Sequence, residues 1–218
     1  MKNSFEVAIF PIPGMVTFPG TVVPLHVFEP RYRRMINESI ANERMIAVCD
    51  IKNKISPAKQ HQTLTDTLNS IQATHQPTTI FSAGFCDIPK QTKDGRLYVN
   101  VNMRHRLKIN AEIQTLPYRI AECSVVEDEP ADLPELVHYQ TEILQCLWDL
   151  VKQDMTLPDT HLDRDLWASL TPAEFSFSVF QFIRFDAELM QTVLEMTHPK
   201  QRLQRIHQVL IKSERINT

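Results

Sequence analysis

The chain has 218 residues, of which 43% are hydrophobic and 22% charged, with a formal net charge of −3. That balance supports a packed core and argues against a disordered chain or a strongly cationic nucleic-acid binder. No apolar run approaches the roughly 18 residues of a membrane helix, and the opening MKNSFEVAIFPIPG lacks a signal peptide's apolar core and cleavage site. A soluble, cytoplasmic protein is expected. Charge is unevenly spread: residues 1–126 carry 15 Lys+Arg against 10 Asp+Glu, whereas residues 127–218 carry 8 against 16. The texture changes at the same point, which predicts a β-rich domain over 1–126 and a helical bundle over 127–218. Cys49, Cys86, Cys123 and Cys146 lie at least 23 positions apart, without a C-x-x-C pair, and read as core residues rather than zinc ligands.

In chain order, Phe5–Ile12 is a short apolar strand. It runs into FPIPGMVTFPGTVVPLHVFEPRY (Phe10–Tyr32), where Pro11, Pro13, Pro19, Pro24 and Pro30 alternate with apolar residues, and Gly14 and Gly20 each follow a proline. Proline fixes φ and lacks an N–H, and the glycine supplies the positive φ that a type II turn requires. Short apolar segments are therefore folded back at set points. Pro30 suits the first turn of a helix bearing Tyr32, Met35, Ile36 and Ile40 on one face, and Glu29 places negative charge near its N-terminus. Met45–Ile51 reads as a buried strand.

Residues 52–79 lack aromatics and predict a long mobile loop between strands. Ile80–Ile88 resumes as a strand, and Asp94-Gly95 marks a hairpin turn within Lys90–Ile113. Tyr118–Val126 alternates as a further strand behind Pro117. Five or more strands with one interior helix suggest a barrel-like, mostly antiparallel sheet. After Pro130 the period becomes helical. Leu136, Ile143, Leu144, Leu147, Leu150 and Val151 trace one face, and Leu162, Leu166, Trp167 and Leu170 a second helix. Thr171-Pro172-Ala173-Glu174 is a capping box, Asp186 is placed to cap a further helix, and the last helix runs from Lys200 to about Ile211.

Together these segments resemble the Lon N-terminal (substrate-binding) domain family. Pro11, Phe18, Pro19, Gly20, Pro24, Leu25, Phe28, Glu29, Arg31 and Tyr32 match its opening motif. Asp94 and Gly95 match its hairpin, and Tyr118 its following strand. Met103 departs from the glycine that the family often carries before its paired basic residues. The resemblance implies an α+β fold, a PUA-like β pseudo-barrel followed by a C-terminal helical bundle. It implies structural roles for the matched residues. It also implies a stand-alone, non-enzymatic module that recognises unfolded or flexible polypeptides, or adapts them to an ATP-dependent protease. No phosphate-binding loop, G-x-S-x-G elbow or H-E-x-x-H occurs in the sequence. No catalytic residue, metal site or cofactor is expected.

Two clusters are candidate binding residues. Arg96, Arg104, Arg106 and Lys108 crowd one hairpin, and regular alternation would set Arg104, Arg106 and Lys108 on one face, opposite His105 and Leu107. Such a row fits an acidic peptide, a phosphate or RNA, so an RNA- or nucleotide-binding module is the alternative reading. The ordinary role of such a row is a solvated face or a charged edge. FSFSVFQFIRF (Phe175–Phe185) carries apolar bulk on more than one helical face, which fits a buried element or, through Phe177 and Phe180, a partner surface.

Overall fold

The computed structural model describes residues 4–54, 75–153 and 164–214. The chain divides into two compact units: Met1–Val126 with Phe185–Met190, and Glu127–Arg184 with Gln191–Thr218. The first is built from β1 (Ser4–Pro11), β2 (Val22–Val27), α1 (Pro30–Ala41), β3 (Met45–Cys49), β4 (Ile51–Lys54), β5 (His75–Pro77), β6 (Ile80–Gln91), β7 (Leu97–Gln114) and β8 (Arg119–Val125). Six strands run in the order β2-β7-β6-β3-β1-β8, and a further β7–β8 pairing closes five of them into a barrel, leaving β2 attached to β7. Only β1 and β3 pair in parallel within this sheet, because the chain crosses over through β2 and α1 between them.

Alternation along the strands builds two cores. Val7, Ile9, Met45, Ala47, Cys49, Phe81, Ala83, Leu107, Ala121 and Cys123 form one. On the opposite face of β1 and β3, Ala8, Ile46 and Val48 join β2, the first half of β7 and the α1 residues Tyr32, Met35 and Ile36. These two central strands are thus buried on both sides, which accounts for the uninterrupted apolar runs VAIF and MIAVC. Gly14 and Gly20 adopt φ of +72° and +80°, as their place after proline requires. Pro30 begins α1, but the buried face carries Ser39 rather than Ile40, which is exposed.

The expected loop over 52–79 is narrower than its composition suggests. Residues 51–54 and 75–77 pair as β4 and β5, while the part of that expectation covering 55–74 lies outside the described residues. The Asp94-Gly95 turn joins β6 to β7, with Gly95 at φ +81° and its carbonyl accepting from Arg33 Nη1 at 2.9 Å.

The second unit comprises α2 (Leu133–Gln153), α3 (Arg164–Ser169), α4 (Pro172–Ser178), a 3-10 turn (Val179–Gln181) and α6 (Pro199–Glu214); α5 (Ala187–Glu195) runs across the division. Helix α2 packs along α6 and α4, burying Leu136, Ile143 and Leu147 with Leu203, Ile206 and Leu210. The side chains of Leu150, Val151 and Leu162 lie outside the description. Leu166, expected on a buried face, is exposed, whereas Trp167 is buried between the rings of Phe175 and Phe182. Thr171 and Glu174 form the expected capping box, and Asp186 Oδ1 accepts from the Leu189 N–H at 2.8 Å.

Candidate functional site

Pro11, Leu25, Phe28, Glu29, Arg31 and Tyr32, expected to be purely architectural, line a cavity of about 400 Å³ in the β-rich unit, together with Ile9, Phe10, Ile12, Pro13, His26, Ile51 and Arg119. This is within the size range of small-ligand and side-chain pockets, and its wall is mainly apolar. The prolines of the opening segment hold one side as a stiff backbone, while the end of β2 and the first turn of α1 form another. Phe10 meets Tyr32 edge-on at 4.1 Å between centroids, and the Arg31 guanidinium lies 4.7 Å from the Tyr32 ring centre. Burial pushes the Tyr32 hydroxyl above its ordinary range, so it stays a neutral phenol.

Charge is confined to a few groups. Arg31 Nε donates to Glu29 Oε2 at 2.9 Å, and Arg119 Nη1 donates to Glu112, which is not in the wall. At the rim Phe28 is 60% exposed, and His26 stacks on Tyr98 at 4.6 Å. Lys90 Nζ lies 5.5 Å from the same Tyr98 ring centre. Among the described residues β2 is the terminal strand of its sheet, paired with β7 alone, and Pro24 sits on it. Proline in a strand belongs on such an edge, where its missing N–H breaks no ladder.

The hairpin cluster is dispersed. Ala83 pairs with His105 but Gly84 pairs with Met103, so β7 carries one extra residue at Arg104. A bulge of this kind reverses which residues face which side. Arg104 therefore lies over the Phe85 ring at 5.7 Å, while Arg106 pairs opposite Ser82, on the other face of β6. Arg106 is only 4% exposed, its Nε and Nη2 donating to the Val126 carbonyl at 3.2 and 3.1 Å. The expected row of Arg104, Arg106 and Lys108 is thus corrected: one member faces the opposite way from Arg106, and Arg106 itself fastens the end of β8. Arg96 is exposed at the turn and pairs with Asp94 at 2.8 Å. Phe177, the other expected partner contact, is buried against the Arg202 guanidinium at 3.9 Å, and Phe180 is half-buried.

Arg119 carried no signal in the sequence. Only the β1–β8 register, which sets it beside Ile9, brings it to the wall. Among the described residues no group of three His, Cys, Asp or Glu side chains could hold a metal ion, and no helix is long and apolar enough to cross a membrane.

A mostly antiparallel barrel with a helical C-terminal region and a cavity under its proline-rich opening defines the class. The family model described as the ATP-dependent protease La (LON) substrate-binding domain matches residues 6–212, nearly the whole chain, and the chain belongs to that family. It is 26% identical over 216 residues to Lon protease 1 of Herpetosiphon aurantiacus, covering 95% of this chain and 24% of that protein. The chain thus spans about a quarter of the length of this curated relative. The fold is similar to that of the Lon N-terminal domain protein from Xanthomonas campestris, with a TM-score of 0.60 at 16% identity over 92% of this chain and 96% of that one. It is also similar to the N-terminal domain of a Mycobacterium avium complex Lon protease, with a TM-score of 0.63 at 14% identity over 95% and 96% of the two chains.

Proposed function

We propose that this chain is a polypeptide-recognition module without chemistry of its own. It takes an apolar side chain of an unfolded or flexible polypeptide into the cavity beneath β2 and presents that polypeptide to an ATP-dependent protease. The single observation that carries this reading is the apolar cavity lined by the family's opening segment, with a solvent-exposed Phe28 at its rim. Membership of a family described as a substrate-binding domain supports it. A site holding one or two side chains gives a small interface, so affinity is expected to be modest, about micromolar.

The test is binding of wild type and Phe28→Ser to a peptide array and, by fluorescence anisotropy, to its best ligands. Phe28 is largely exposed, so the substitution spares the fold. Enrichment of apolar segments, with at least about tenfold weaker binding by Phe28→Ser, is expected, tenfold corresponding to ~1.4 kcal/mol. An array without such enrichment, or ATP hydrolysis by the purified chain alone, would overturn the reading.

A further inference from the structure

We infer that a flexible polypeptide binds as an added β-strand along the open edge of β2, with alternate side chains turned toward the cavity. This rests on the polypeptide-recognition reading and names the conformation and pattern of the segment taken. β2 pairs with β7, and among the described residues no strand lies on its other side. The Met103 N–H donates to the Thr21 carbonyl at 2.9 Å, so Thr21 turns that carbonyl toward β7. In an antiparallel ladder this sense recurs at every second residue, so Val23, Leu25 and Val27 bond to β7. The N–H and C=O of Val22 and His26, and the C=O of Pro24, therefore face outward. Pro24 agrees with this parity, because only at such a position does a proline break no ladder.

An outward row of donors and acceptors at strand spacing is complementary to the backbone of another extended chain. Edges are commonly guarded by lysine or another charge, but β2 reads VVPLHV and has none. Pro24 guards it against a second copy of itself: in a two-fold antiparallel pair centred there, both bonds of the central pair are missing. A foreign strand still donates to the Pro24 carbonyl and forgoes one bond, not two. The cavity continues the same site. Leu25, His26 and Phe28 line it from the end of β2, and Phe10 and Pro11 from β1, whose pairing with β8 stops at Ile9.

Neighbouring residues in a sheet point to the same face, so a ligand residue beside Leu25 turns toward the cavity. The residues on either side of it join the outer face, where Val22 and Tyr98 are exposed. The preferred segment is thus extended, with apolar residues at alternate positions. The mode draws on backbone groups and apolar contact, so Arg31 and Arg119 keep their Glu29 and Glu112 partners.

The experiment titrates the full chain, by fluorescence anisotropy, with a fluorescein-labelled decapeptide whose leucines and threonines alternate. A set of the same peptide carries one backbone N-methyl group, moved along the central residues. Each methyl removes a donor and adds bulk on one side of the strand. At every second position it is expected to weaken binding at least about tenfold, and at the positions between by less than about twofold. Amide exchange, followed by NMR with and without saturating peptide, should slow at Val22 and His26.

Methyl groups that weaken binding without this alternation overturn strand addition and leave side-chain recognition in the cavity standing. An alternating response with unchanged exchange at Val22 and His26 overturns the assignment to β2. A dimer of the free chain in sedimentation that the peptide does not dissociate gives the edge to a second copy, which also overturns it. If the unmethylated peptide does not bind, the polypeptide reading itself falls. Every readout uses unaltered protein, so none depends on a variant folding.

Discussion

Asp128 and Arg202, 74 residues apart in sequence, meet through two parallel hydrogen bonds, Nη1 to Oδ1 at 2.9 Å and Nη2 to Oδ2 at 2.6 Å. The arginine is completely buried. Its Nε donates to Ser176 Oγ at 2.7 Å and Nη1 also donates to the Met196 carbonyl at 2.9 Å, while the Phe177 ring centre lies 3.9 Å away. One guanidinium thereby ties the segment before α2 to α4, the end of α5 and α6.

Removing one member of a buried ion pair leaves the other charge without compensation. Asp128→Ala is therefore expected to cost about 3 kcal/mol, the low end for buried pairs because the Asp128 side chain keeps 25% exposure. Replacing both members, as Asp128→Ala with Arg202→Met, should recover most of that loss, since the uncompensated charge is gone. Urea unfolding of the two variants gives the comparison. A double variant less stable than the single one would mean that the Arg202 hydrogen bonds to Ser176 and Met196 outweigh the cost of its uncompensated charge.

The α4 capping box predicts a stability effect with a pH signature. Thr171 Oγ1 accepts from the Glu174 N–H at 3.3 Å and donates to Glu174 Oε2 at 2.7 Å, and the Thr171 N–H donates to Oε2 at 3.0 Å. Thr171→Ala should cost about 1 kcal/mol. The hydrogen bond from the Thr171 side chain, then that from its backbone, holds the Glu174 carboxyl below its ordinary value of 4.5. A carboxylate with a depressed folded value stabilises fully above its unfolded value, and that contribution fades as pH falls through the lower folded value. Glu174→Gln should therefore lose stability at pH 7 and less of it at pH 3. An equal loss at both pH values would rule out the linkage.

Thiol reactivity tests the two cores of the β-rich unit. Burial pushes Cys49 and Cys123 up to about 12, and Cys86 up to about 11. The thiolate is the reactive species, so at pH 8 almost none is present at these three positions. In a Cys146→Ser background, a disulfide reagent should label nothing quickly in native protein and three thiols after addition of urea. Rapid native labelling of Cys49 or Cys123 would show that β3 or β8 opens.

The opening segment was legible because proline and glycine act locally: Gly14 and Gly20 needed no partner to reveal their turns. The uninterrupted apolar runs of β1 and β3 were legible for the same reason. What was not legible depends on pairing across the sheet. The placement of Arg104 and Arg106 follows from an extra residue in β7 opposite Ala83 and Gly84, whereas the sequence from Leu97 to Ile109, read without its partner strand, alternates without a break. The cavity is a consequence of the same kind. Leu25, Phe28 and Tyr32 read as motif positions, but that they enclose space with Arg119 depends on the β1–β8 register, more than 100 residues apart in sequence.

The bulge at Arg104 makes Gly84 a necessary gap. A Cβ at Gly84 would lie 1.8 Å from the Asn102 carbonyl oxygen, 2.6 Å from its carbon and 2.9 Å from Met103 Cα. All three are backbone atoms of β7, so no side-chain rotation relieves the overlap, and β7 must move where it bends. Gly14 provides the control, because nothing lies within 4 Å of a Cβ there and only its φ of +72° opposes alanine. Gly14→Ala should cost about 1–2 kcal/mol, the penalty for a left-handed backbone. Gly84→Ala should cost about 3 kcal/mol or more, the upper end for forcing extra atoms into a packed interior. It should also free the Arg106 side chain from Val126, which would appear as faster amide exchange at Val126, whose N–H donates to the Arg106 carbonyl at 2.9 Å. Urea denaturation ranks the two variants, and a Gly84→Ala protein as stable as Gly14→Ala would mean that β6 and β7 do not approach this closely.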